Sequence, residues 1–543
     1  MNNIVPAVMV ALLHDKCDDA ISFSLLPLLF YNVTFFITSF LFNPLLLYHT
    51  SPLSAPLFLL NIEWRVISTS KDEMASSVKP GATWKKTNYP SIRNPDFPVE
   101  VAGFETFNNI HLASVILGAP FVLVTILKLP FWSYPVLTIL LALPIFAAYF
   151  TYGSQFALPL NNRVQTPGKK VEDYITIVDP AFQKYKGKNR IPMETFFEAY
   201  FDGKIDINQD CLELLENRHD WTVFHMTASQ AKFFVTQWIP ETLWHSKKQD
   251  EDQVRDHYDR GDDFYAAFLG PRMIYTSGIM SDVTKKETLE EMQDNKLKLV
   301  CEKIQLKKGE RHLDIGCGWG TLTAYAAKNY GTDSTGITLG LNQTAFGNNR
   351  IKEYGVPATQ ARIKCMDYRD IPREKWDKIT CLEMAEHVGI RKFNEFLLQV
   401  KDMLNDDGLF YLQIAGLRAA WQYEDFIWGL FMAKYVFPGA DASMPLYWVI
   451  KQLECAGFEV QNVDTIGVHY SATIHRWYLN WMSNKESITA TYGKKWFRTW
   501  EIFLAWSTII SRQGSATCYQ IVAHKNLNAF DRTGLQAKNR FSA

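Results

Sequence analysis

The chain has 543 residues, and its 56 Lys plus Arg stand against 57 Asp plus Glu, a net charge of −1. That balance excludes nucleic-acid binding carried by bulk charge, which needs a basic surface. At 47% hydrophobic and 21% charged residues the chain is not a disordered one. The mean hydropathy of −0.12 hides an uneven distribution, because the long uncharged runs lie before residue 160. The eight cysteines form no Cys-x-x-Cys pair and none has a His at zinc-site spacing, so no metal site is expected and a reducing compartment is.

From Ala20 to Ile62 there is no Asp, Glu, Lys or Arg. Leu28 to Leu47 is long enough to cover a bilayer core of about 30 Å. Two readings of residues 1–73 stand, a further membrane span or an extension absent from the mature protein, since Met74 opens a stretch that would itself serve as a start. Residues 74–109 read as a cytosolic segment. Residues 110–152 hold two apolar runs, Leu112–Leu127 and Leu129–Phe150, parted by Lys128 and a turn at Pro130. So short a turn predicts a transmembrane helical hairpin. A monotopic hairpin that dips in without crossing and a buried core hairpin are the alternatives. Lys85, Lys86 and Arg93 before it and Arg163, Lys169 and Lys170 after it place both flanks, and everything downstream, in the cytosol by the positive-inside rule. Residues 153–255 read as a linker and a small mixed domain.

From residue 300 apolar strand-like runs alternate with helical patterns, which predicts a parallel α/β sheet within a catalytic domain at 256–530, followed by a tail at 531–543. Strands are expected at Arg311–Ile315, Ser334–Thr338, Ala361–Met366, Lys378–Met384 and Gly408–Ile414, with Phe458–Ile466 and Thr517–His524 able to close the sheet. The first strand runs into Asp314-Ile315-Gly316-Cys317-Gly318-Trp319-Gly320, and a helix follows at Thr321–Asn329. The spacing is G-x-G-x-G and not the G-x-G-x-x-G of dinucleotide sites. An acid before the turn suits a ligand bearing a cation and a ribose. This motif resembles motif I of class I methyltransferases that use S-adenosylmethionine; nicotinamide chemistry is the main rival on the turn alone.

Further stretches sharpen the resemblance. His257 to Tyr265, Met273 to Ser277, Leu313 to Gly320, Thr338 to Gln343, Asp367 to Asp370, Glu386 to Gly389 and Tyr435 to Gly439 resemble, in order, the boxes of the cyclopropane-fatty-acyl-phospholipid synthase family. The apolar hairpin ahead of them is similar to the fungal sphingolipid C9-methyltransferase subgroup. The resemblance implies a Rossmann-like class I methyltransferase domain, preceded by transmembrane helices and a small mixed domain. It implies methyl transfer from S-adenosylmethionine to C9 of a C8=C9 double bond in the sphingoid base of ceramide or glucosylceramide. The partners are then a membrane and its lipid, and no nucleic acid; the location is the endoplasmic reticulum membrane, multi-pass, with the catalytic domain in the cytosol. A cyclopropane synthase acting on phospholipid acyl chains is the alternative, and a membrane-tethered lipid-binding protein without catalysis is a third. The sequence carries no signal for an oligomeric state.

For the cofactor, the resemblance implies Tyr275 and Thr276 at the methionine end, Asp314, Gly316, Gly318 and Gly320 at the turn, Thr338 and Gln343 after the second strand, and Tyr368 and Arg369 beside the adenine. It also implies a bound bicarbonate ion as proton acceptor. Its four expected positions fall on Ser277 (through its main chain), Glu386, Gln413 and Tyr470. Two of these depart from the family, which has Cys and His where this chain has Ser277 and Gln413. A Gln cannot titrate near neutrality, which is compatible with a methyl branch in place of a ring. Glu383 reads as either a helix cap or a cofactor neighbour, and His387 as a structural hydrogen-bonder. The stripe Trp421, Trp428, Phe431, Tyr435 and Phe437, in an insertion at 416–450, reads equally as core and as cover for an acyl channel.

Overall fold

The computed structural model describes residues 109–156, 167–238, 240, 261–419, 422–438 and 443–533. The expectations for residues 1–108, for His257–Arg260, for Trp421 and for the tail beyond residue 533 lie outside the described residues.

Seven strands form one sheet: β1 (Arg311–Ile315), β2 (Asp333–Thr338), β3 (Ala361–Cys365), β4 (Trp376–Leu382), β5 (Leu404–Leu417), β6 (Phe458–Thr465) and β7 (Ala516–Lys525). Their order is β6-β7-β5-β4-β1-β2-β3. β7 pairs antiparallel to both of its neighbours, and the remaining pairs are parallel. The twelve named helices are α1 (Asn109–Ile126), α2 (Ser133–Phe156), α3 (Met193–Phe201), α4 (Asp262–Leu269), α5 (Leu289–Lys303), α6 (Thr321–Tyr330), α7 (Leu341–Glu353), α8 (Phe393–Met403), α9 (Tyr423–Phe431), α10 (Leu446–Cys455), α11 (Gly467–Ser483) and α12 (Lys494–Arg512).

The central strands are buried on both faces. On β5, Phe410, Leu412 and Ile414 join a core with α8 and α10, while Leu409 and Tyr411 join one with α5 and α6. Alternate side chains thus feed opposite layers, as the period of two requires. This is the class I methyltransferase arrangement. Chain order reverses between β1 and β4, and ligands of such sheets bind there, beyond the carboxyl ends of the strands.

A second core is dominated by aromatic rings. It joins residues 171–234 to α4, α9, α11 and α12. Trp500 of α12 is fully buried at its centre, with ring contacts to Phe264, Tyr265, Phe268, Tyr275, Trp481 and Phe503. The small mixed region therefore shares one core with the helices that flank β6 and β7. A buried ion pair ties it there: Arg218 Nε donates to Glu424 Oε1 at 2.5 Å, and its other nitrogens reach Leu215 O and Gln513 Oε1.

Residues 109–156 form two helices joined by a turn at 127–132. No helix among the described residues is long and apolar enough to cross a membrane, so the expectation of transmembrane spans is not supported. Each helix carries an internal proline, Pro120 and Pro144. Part of the apolar surface is spent within the protein: Leu112, Ile116 and Val124 are buried, and Phe146 stacks on Phe234. The turn end is not spent this way, and Ile126, Leu127, Phe131 and Trp132 stand exposed there.

Candidate active site: two cavities that meet at Glu383

The first cavity, of about 160 Å³, opens over the carboxyl ends of β1, β2 and β4. Its floor is the glycine turn after β1. Gly316 holds φ +76, and a Cβ there would stand 2.4 Å from Met384 Cγ. Above Gly318 a Cβ would meet nothing within 4 Å, so that stretch of backbone is open to a ligand. The turn leads into α6, whose first N–H groups have no intrahelical partner.

Asp314, Gly316, Gly318, Tyr275, Thr276, Thr338, Gln343, Tyr368 and Arg369 all line this cavity. Gly320 caps α6 at φ +72 and packs under the turn against Ile363 and Gly347. Asp314 does more holding than reaching. Its two oxygens accept from Thr380 and Thr323 at 2.8 and 3.1 Å, and burial pushes its carboxyl up to about 6. Thr338 donates to Gln343 Oε1, so this pair presents a hydroxyl and an amide, and no acid, beyond the end of β2. Arg369 is forked onto Asp367. Lys296, from α5, went unnoticed in the sequence. It is buried in the cavity wall, donates to Thr276 Oγ1 at 2.7 Å, and is pushed down to about 8 by burial.

The second cavity, of about 120 Å³, is apolar, with Trp428, Met432, Phe437, Ile474, Trp477 and Phe503 in its wall. The aromatic stripe divides between its two readings: Trp428 and Phe437 face this chamber, while Phe431 and Tyr435 pack on Phe197 and Phe201 in the core. Tyr275, Glu383 and His387 line both cavities.

Glu383 is where the expected proton-transfer residues converge. It follows β4 directly, with φ +52. Its Oε1 accepts from Ser277 N at 3.0 Å and from Gln413 Nε2 at 2.6 Å, and Cys518 Sγ stands 3.6 Å away. Its Oε2 accepts from Tyr470 Oη at 2.6 Å. Ser277 acts through its main chain, since its hydroxyl donates to Gly278 O. Three of the four groups expected to hold bicarbonate are thus spent on the Glu383 carboxylate, and the site does not fit that ion.

Glu386, the fourth, accepts from the Ala415 N–H on Oε1, while its buried Oε2 has no partner among the described residues. Burial, and next the charge of Glu383, push it up to about 8. The folded protein therefore keeps a proton that the unfolded chain releases above its ordinary value of 4.5. Stability falls as pH rises through that window, by about 1.4 kcal/mol per unit. Glu386→Gln removes this titration. Its unfolding free energy is expected to gain on the wild type steadily between about pH 5 and pH 8, and a difference flat with pH in denaturant titrations counts against a proton on Glu386.

Residues 245–521 match the mycolic acid cyclopropane synthetase family. A sphingolipid C9-methyltransferase of Komagataella phaffii is 56% identical over 459 residues, covering 83% of this chain and 94% of that protein. One from Candida albicans is 51% identical over 457 residues, covering 82% of this chain and 89% of the other. This chain belongs to the sphingolipid C9-methyltransferase family. Among solved structures, a cyclopropane synthase of Mycobacterium tuberculosis is 25% identical, with a TM-score of 0.48 over 51% of this chain and 98% of that one. S-adenosylmethionine is the cofactor of this methyltransferase, and the first cavity fits it. The open backbone at Gly318, the Thr338–Gln343 pair and the Tyr368–Arg369 wall are the groups that would hold it. Lys296 is the site residue that sequence reading passed over; Glu383 was read as a helix cap or a cofactor neighbour, and its place at the junction of the cavities was not foreseen. The signal for Glu383 was its place, an acid at the strand end beside the point where chain order reverses.

Proposed function

We propose that this methyltransferase transfers the methyl group of S-adenosylmethionine to C9 of the C8=C9 double bond in the sphingoid base of ceramide or glucosylceramide, giving a 9-methyl sphingolipid. The observation that carries the reading is the pair of cavities, one polar with a glycine turn and one apolar with aromatic walls, joined at Tyr275, Glu383 and His387. The bound cofactor supplies an electrophilic methyl on a sulfonium. An alkene is a weak nucleophile, so the chain's task is to hold it in line and keep water away. Trp428, Phe437 and Trp477 supply an apolar channel for a hydrocarbon chain, and aromatic faces favour the positive charge that an attacked alkene acquires.

The test is the purified enzyme with methyl-labelled S-adenosylmethionine and a ceramide bearing a C8=C9 double bond, presented in vesicles of an unsaturated phospholipid and read by NMR. A labelled vinylic methyl is expected. Upfield ring protons without that signal would establish a cyclopropane synthase, and label transferred only to phospholipid acyl chains would overturn the substrate.

The reading extends to a membrane. The substrate stays in a bilayer while its methyl donor is water-soluble, and the exposed Ile126, Leu127, Phe131 and Trp132 suit insertion of the hairpin's turn into one leaflet. Cys211, Cys301, Cys317, Cys365, Cys381 and Cys518 are free thiols, which fits a cytosolic face of the endoplasmic reticulum. An environment-sensitive fluorophore placed by Phe131→Cys, with the exposed Cys455 replaced by serine, is expected to shift to the blue when vesicles are added. Unchanged emission on vesicles that bind the protein would place the turn in water.

A further inference from the structure

The hydrogen bonds around Glu383 have one direction. Lys303 can only donate, and its ammonium sits 2.9 Å from Gln520 Oε1. That turns the Gln520 amide N–H₂ toward Gln413 Oε1, at 3.1 Å. Tyr411 also donates to Gln413 Oε1. The Gln413 N–H₂ is left facing Glu383, where it donates to Oε1. The Ser277 N–H and the Tyr470 hydroxyl complete a set in which every close contact is a donor, the pattern an ionised carboxylate satisfies. Gln413, which cannot titrate, is here a fixed donor. The backbone gives a second, independent sign. Glu383 keeps a left-handed φ of +52, which a non-glycine residue rarely adopts and which persists where a site demands it. The third sign is position, since Glu383 is one of the three residues that line both cavities.

We propose that the Glu383 carboxylate is the built-in general base of the reaction, seated on the donors that would otherwise hold a bicarbonate ion. The inference rests on the alkene-methylation reading and completes it. Once C9 carries the new methyl, the positive charge lies on C8. A Glu383 oxygen takes the proton from C9, and the C9–H electron pair becomes the C8=C9 π bond. The charge on the lipid is discharged, Glu383 becomes a carboxylic acid, and it returns the proton to solvent. A base fixed in the wall selects one proton, and loss from C9 leaves a methyl branch, whereas loss from the new methyl would close a ring.

The experiment compares the full-length wild type with Glu383→Gln and Glu383→Gly, each with a ceramide bearing a C8=C9 double bond, with and without deuterium at C9. Binding of S-adenosylhomocysteine is measured in parallel as a check on folding, and glycine suits the left-handed φ. Both variants are expected to lose at least about a hundredfold in turnover while still binding S-adenosylhomocysteine. Formate is expected to restore the Gly variant at least about tenfold, within the range general bases contribute, and not the Gln variant, whose amide fills the space. A deuterium effect is expected in the Gly variant and should shrink as formate rises, a response that a purely structural role would not give. Three results overturn the proposal: Glu383→Gln within about threefold of wild type, wild-type turnover that falls when dissolved bicarbonate is stripped, or a cofactor-binding Gly variant that formate leaves inert. A wild type that makes no 9-methyl product defeats the reading beneath it instead.

Discussion

Gly316→Ala is expected to weaken S-adenosylhomocysteine binding beyond detection in a calorimetric titration, and to lower the unfolding free energy by about 2–5 kcal/mol. Two costs add. A left-handed φ of +76 penalises any Cβ by about 1–2 kcal/mol. The new methyl would also stand 2.5 Å from Met384 Cβ, and overpacking of this kind costs about 1–3 kcal/mol. Met384 cannot yield freely, because it follows Glu383 and its carbonyl accepts the N–H of His387. A shift in the glycine turn is therefore transmitted to the residue where the two cavities join. Retention of wild-type affinity would show that the turn relaxes without moving the cofactor site, and would falsify this account of Gly316.

The second large effect lies outside the site. Glu424→Ala is expected to destabilise the fold by about 3–5 kcal/mol, because it leaves the buried Arg218 guanidinium without its carboxylate, with only Leu215 O and Gln513 Oε1 to accept from it. His219 Nε2 lies 3.7 Å from the same carboxylate, but burial and then Arg218 hold its ring well below the ordinary histidine value, so it offers no compensating charge. Replacing both partners, Arg218→Met with Glu424→Leu, is expected to recover most of the loss, since a pair removed together leaves no orphaned charge. Denaturant unfolding distinguishes the cases. Equal losses in the single and double variants would mean that packing around α9, and not the ion pair, sets the cost.

The sheet was largely legible from the chain because its strands are short runs of β-branched and apolar residues set off by glycine, proline and charge. Trp376–Leu382 and Phe458–Thr465 fall within a few residues of the expected runs. β5 is the largest departure, beginning at Leu404 and not Gly408. Parallel pairing with β4 picks up Leu404 opposite Trp376 across an irregularity in register, a feature that residue pattern does not encode. The hairpin was legible as two helices, but not in its relation to a membrane. Apolar content looks the same whether it faces lipid or protein, and here Phe146 finds Phe234 as its neighbour.

The proton-transfer cluster divides in the same way. Ser277, Gln413 and Tyr470 could be named from motifs, each from its own stretch of chain. That they converge on Glu383 could not be named, because β4, β5, α11 and the loop before α5 meet only in the folded protein. The sequence by itself determined the class of sheet, the glycine turn and the side-chain types offered to a cofactor, since those depend on local propensity and spacing. The tertiary structure decided which carboxylate stands at the junction of the cavities. It decided which way each amide points, through the ammonium of Lys303 two residues back along the hydrogen-bond chain. The near-neutral charge and modest hydropathy of the whole chain carry no trace of either decision, because both depend on buried neighbours far apart in sequence.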